Sequence, residues 1–138
     1  MFGTPRPGAH AYRQMSVDTD ALAASPHQLI IMLFDGALGA IDTAAAQMAS
    51  GDIAGKGRSI TKAIDIVGSG LAASLDQKNG GEIASQLAAL YDYVIRQLVA
   101  ANIGNDTAKL AETRKLLGQM RQNWMDIGSA ATQQGVAA

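Results

Sequence analysis

The chain is 138 residues long, 48% hydrophobic but only 4% aromatic, with a formal net charge of −1 and no cysteine. That length fits one domain able to bury roughly two-thirds of its unfolded surface, and the apolar content excludes a chain that is disordered throughout. The near-neutral charge gives no general attraction to nucleic acid or to an anionic membrane. The lack of cysteine excludes disulfides and thiolate metal sites and fits a reducing compartment.

Met1 to His10 contains Gly3, Pro5, Pro7 and Gly8 and reads as a flexible arm without a hydrophobic signal core. Ala11 to Val17 is expected to form a short helix anchored by Tyr12. Ser25-Pro26 marks a helix start, because Ser is a preferred N-cap and Pro is well tolerated at the first helical position. Ile30, Phe34, Ala37, Ile41, Ala44 and Met48 then recur at alternating spacings of four and three, one stripe of a helix. Ser50-Gly51-Asp52 ends that helix and offers a cap to the next. Ile53, Ile60, Ile64, Val67 and Leu71 mark a second helix, the softest of the set because Gly55, Gly57, Gly68 and Gly70 interrupt it.

Asp76 to Gly81 reads as a loop. The third stripe is Ile83, Leu87, Leu90, Val94, Leu98 and Ala101, with Tyr91 and Ile95 beside it. Gly104-Asn105-Asp106 breaks the chain, and Leu110, Thr113, Leu117, Met120, Trp124 and Ile127 mark a fourth helix. Gly128 to Ala138 is expected to fray. Four helices with short connections predict an all-α, antiparallel up-and-down four-helix bundle with a short N-terminal helix or cap segment. Its parts would be an arm at 1–10, the bundle at 11–127 and a tail at 128–138. No apolar run approaches the ~20 residues of a membrane span, so stable membrane insertion is not expected.

Catalytic chemistry finds little support. His10 lies in the arm and His27 in a first helical turn, and neither sits three residues after a Glu, as a di-metal carboxylate bundle would require. Asp35, Asp42, Asp65 and Asp92 are read as solvated helix-face carboxylates. Gly55-Lys56-Gly57-Arg58 is too short for a phosphate-binding loop and follows no strand. Arg96, Arg114, Lys115 and Arg121 are scattered surface charges rather than a nucleic-acid face. The expectation is a protein that is no enzyme, with neither cofactor nor metal, that works by binding another protein. Its helices are apolar over more than one seam (Ile66 beside Val67, Leu116 beside Leu117), which leaves surface for an incoming amphipathic helix.

Two stretches carry a resemblance. AYRQMSVDTDALAASPHQLIIMLFDGALGAI, Ala11 to Ile41, is similar to the opening of the flagellin-specific export chaperones, the FliS family: a Tyr in a short helix, a Val, Ser-Pro, Leu-Ile, Met-Leu and an acidic-Gly-Ala triplet. SLDQKNGGEIASQLAALYDYVIRQLVAANIGND, Ser74 to Asp106, resembles the middle signature of that family, and Trp124 stands near its usual C-terminal Trp. Phe34 occupies a position where many members have Tyr, so any hydroxyl role there is lost.

The resemblance implies a cytoplasmic helical bundle that binds the C-terminal segment of newly made flagellin. Binding would prevent premature polymerisation and aid delivery to the export gate of the flagellar type III secretion system. Tyr12 and Val17 correspond to the opening motif and would belong to the flagellin site. The stripes add Ile64, Val67, Leu71, Tyr91, Ile95 and Leu98 as expected groove residues. The competing reading is a structural four-helix module that self-associates through its surplus apolar face.

Overall fold

The computed structural model describes residues 24–133, and all regular structure in that range is helical. The arm, the short N-terminal helix, Tyr12 and Val17 lie outside the described residues. Helix α1 spans Pro26–Ser50, α2 Ile53–Asp65, α3 Gln77–Gly104 and α4 Thr107–Gln133.

Capping explains the boundaries. The Ser25 hydroxyl accepts from the Gln28 amide at 3.2 Å while the Gln28 side chain accepts from the Ser25 amide at 3.1 Å, a reciprocal capping box ahead of Pro26. Gly51 closes α1 in the left-handed region at φ 77°, and Asp52 then caps α2 through the Gly55 amide at 2.9 Å. The same device recurs between α3 and α4. Asn105 takes φ 50°, and Asp106 accepts from the Lys109 amide at 3.1 Å.

Two segments differ from the sequence expectation. Asp76 to Gly81 is not a simple loop. Asp76 caps a helical turn through the Asn79 amide at 3.1 Å, and the break falls at Gly81, with φ 59° and ψ −138°, before the long part of α3 begins. Hydrogen bonds from the Asn79 backbone and side chain hold the Asp76 carboxyl below its ordinary pKa. The fourth helix continues past Ile127 to Gln133.

The soft second helix also changes character. After Asp65 it becomes a π-helical stretch, Ile66–Leu71, and then one 3-10 turn, Ala72–Ser74. Gly68 and Gly70 lie in the π segment. A Cβ on Gly70 would come 3.0 Å from Leu33 Cδ2, so its absence lets α1 approach closely.

The core is built from aliphatic side chains and alanines. Phe34, Ile41, Ile60, Leu98, Leu110 and Leu117 are fully buried, and Ala37, Ala44, Ala63 and Ala101 let the helices draw together between them. Helix α1 packs on α2 and α4, and α3 packs on α2 and α4. Two ion pairs join α1 to α4, Asp35 with Arg121 at 2.6 Å and Asp42 with Arg114 at 2.9 Å. Glu112 of α4 accepts from both Tyr93 and Gln97 of α3. At one end of the fold His27 stacks on Trp124 with ring centroids 4.9 Å apart, and the indole N–H donates to the His27 carbonyl at 3.0 Å. Helix α1 is long and apolar enough in composition to cross a membrane, contrary to the sequence expectation. Here Phe34, Leu38, Ile41 and Met48 of that helix are core residues instead.

Candidate functional site

The second and third helices meet where α2 is poorest in side chains. A Cβ on Gly68 would lie 3.5 Å from Ile95 Cδ1, and one on Gly57 would lie 3.9 Å from the Asn102 side chain. Lys56, 4% exposed, crosses the same junction, and its ammonium donates to the Asn102 carbonyl at 2.5 Å. That carbonyl belongs to the last turn of α3, where the helix presents unpaired acceptors and a partial negative charge. The glycine-flanked lysine therefore binds α2 to the end of α3, which accounts for Gly55-Lys56-Gly57 without any phosphate.

Above this junction lies an open groove, its walls including Gly57, Arg58, Thr61, Lys62, Asp65 and Asn102. On α3, Ile95, Val99 and Ile103 follow at four-residue spacing beside Asn102, so they share one line of the helix. Along that line exposure rises: Ile95 is half-buried, Val99 is 42% exposed and Ile103 is 82% exposed. Three large aliphatic side chains thus emerge progressively from the core on the helix that contributes Asn102 to this groove, whose lining also includes Ala54 and Ile66. This arrangement provides apolar docking surface; it brings together no nucleophile, base or oriented acid.

The expected groove residues divide. Ile64 and Ile95 are half-buried and pack on the edge of the core. Val67, Leu71, Tyr91 and Leu98 lie inside it, none more than 4% exposed. Burial also pushes the Tyr91 phenol up to about 12, and the Phe34 ring lies against it at a centroid distance of 6.5 Å. These four belong to the hydrophobic core. Val99 and Ile103 were absent from the expected set because their positions fall off the main α3 stripe. The signal was present in the sequence as a second four-residue series, Ile95-Val99-Ile103, diverging from the core stripe.

The chain matches the family model described as "Flagellar protein FliS" over residues 8–131. It is 46% identical over 125 residues to the flagellar secretion chaperone FliS of Salmonella typhimurium, covering 91% of this chain and 93% of that protein. It is 39% identical to the Escherichia coli flagellar secretion chaperone FliS (86% and 88% covered) and 37% identical to that of Bacillus subtilis (83% and 80% covered). These relatives are named as chaperones, not enzymes, in keeping with a site made of apolar surface. An all-helical fold, and a match running almost from end to end, make this chain a member of the FliS family of flagellar secretion chaperones.

Proposed function

We propose that this protein is a cytoplasmic export chaperone that binds the C-terminal segment of flagellin, keeps it from polymerising and delivers it to the export gate of the flagellar type III secretion system. The observation that carries this reading is the line Ile95-Val99-Ile103, which leaves large aliphatic side chains in solvent although the core beneath is already filled. A disordered amphipathic tail would bury that line while its own apolar stripe is covered, and its ordering entropy would limit the affinity enough to allow release. Ile64 and Ile95 would touch the tail directly. Val67, Leu71, Tyr91 and Leu98 would hold their shape from below, and Tyr12 and Val17 would complete the site from the N-terminal segment.

The bundle would be antiparallel and up-and-down. The pairing of Asp35 with Arg121 and Asp42 with Arg114 supports this, because the numbers rise along α1 as they fall along α4. Calorimetric titration of the full chain with the flagellin C-terminal segment tests the function. Saturable binding that is lost when the segment is deleted from flagellin is expected, with no change on adding ATP or a chelator. A tight homodimer indifferent to the segment would instead establish the self-associating module.

A further inference from the structure

The charges that α2 contributes to the groove bear on what kind of segment it accepts. Arg58 and Lys62 stand one helical turn apart on α2, both exposed, and both line the groove. Neither forms an ion pair among the described residues. By contrast, Arg96, Arg114, Arg121 and Lys109 are each held by an aspartate, and Lys56 is buried on a carbonyl. The other exposed cations without such a partner among the described residues, Lys78 and Lys115, are on α3 and α4 and do not line this groove. Asp65 is the one carboxylate of the groove wall, at its far end. The groove therefore carries two unneutralised cations at helical spacing on α2, and its α3 member, Asn102, stands next to Ile103 in sequence and about one turn from Val99.

We infer that the groove selects an amphipathic helix with an acidic edge. Its apolar stripe covers Ile95, Val99 and Ile103. Its carboxylates, three or four residues apart, face Arg58 and Lys62. Side chains four apart on a helix lie about 6 Å apart along its axis, so two carboxylates on the incoming helix match two cations on α2 in register. The inference rests on the proposed function and adds the chemistry of the partner: the part of the flagellin tail seated here is acidic along one side. Rim charges of this kind act chiefly on encounter, raising the association rate in a salt-sensitive way while leaving dissociation to the apolar contacts.

The test compares the full chain with R58E/K62E and with Ile95→Asp, using stopped-flow binding of the flagellin C-terminal segment at low and high salt. Both cation positions are exposed, and unchanged circular dichroism and melting would verify that the double variant folds; R58A/K62A serves in its place otherwise. The wild-type association rate should fall with salt. R58E/K62E should associate about tenfold more slowly at low salt, with its dissociation rate within about twofold of wild type. A tail segment whose acidic edge is replaced by lysines should recover fast association with R58E/K62E. Wild-type rates and salt dependence in R58E/K62E, together with loss of binding in Ile95→Asp, would overturn the acidic-edge inference and leave the chaperone reading intact. No binding of the segment by wild type would overturn both.

Discussion

Lys56 and Tyr91 are two polar side chains held in the interior for different physical reasons. The Lys56 ammonium donates to the Asn102 carbonyl in the last turn of α3, and a hydrogen bond to a charged donor contributes about 1.5–3 kcal/mol. Lys56→Ala should lose that amount in urea unfolding, and Lys56→Met somewhat less, because the lysine stem also packs. Tyr91 is neutral in the fold. Its folded pKa of about 12 lies above the unfolded value near 10. The associated stability is complete below about pH 10 and disappears as pH rises towards about 12, a change on the order of 2–3 kcal/mol. Melts across this range should show wild type losing stability relative to Tyr91→Phe; parallel curves for the two proteins would refute the assignment.

The glycines on either side of α2 make the element scale testable. An added Cβ at Gly68 meets Ile95 at an ordinary contact distance of 3.5 Å, whereas at Gly70 it meets Leu33 at 3.0 Å. Alanine is preferred over glycine in a helix by about 1 kcal/mol, so Gly68→Ala should raise stability by about 0.5–1 kcal/mol. At Gly70 the crowding of Leu33 opposes the same gain, and Gly70→Ala should be neutral or destabilising by about 1 kcal/mol. Gly51 answers to a different rule. Its φ of 77° is unfavourable for any L side chain, and Gly51→Ala should cost about 1–2 kcal/mol. Thermal melts of the three variants should rank Gly68→Ala highest, and a Gly68→Ala protein less stable than wild type would contradict the packing described for the π segment.

For the molecule as a whole, filled core and open groove imply a fold that stands alone and gains stability from its partner. A ligand that binds only the folded state stabilises by about 2.7 kcal/mol at a hundredfold excess over Kd. Saturating flagellin tail should therefore raise the melting temperature by several degrees. A melting temperature unmoved by the tail would count against the proposed function. The His27–Trp124 clamp joins the start of α1 to the far part of α4. Trp124→Phe keeps the stacking but removes the indole donor, and should cost about 1 kcal/mol without abolishing folding.

The all-helical character, the four helix positions and most capping residues could be read from the chain itself. Ser25-Pro26, Gly51-Asp52 and Asn105-Asp106 act through neighbours a few residues away, and a stripe at helical period shows which face is apolar. Local spacing does not say how deeply that face is covered. Val67, Leu71, Tyr91 and Leu98 stand on apolar stripes, but they are buried in the core, where the π segment packs on α1 and α3 and α3 packs on α4. Ile95, Val99 and Ile103 climb out of the same core because no fifth helix covers that side of α3 among the described residues. The role of the lysine in Gly55-Lys56-Gly57 was decided in the same way. It depends on a contact tens of residues distant, with Asn102, and such a contact exists only after the helices have packed.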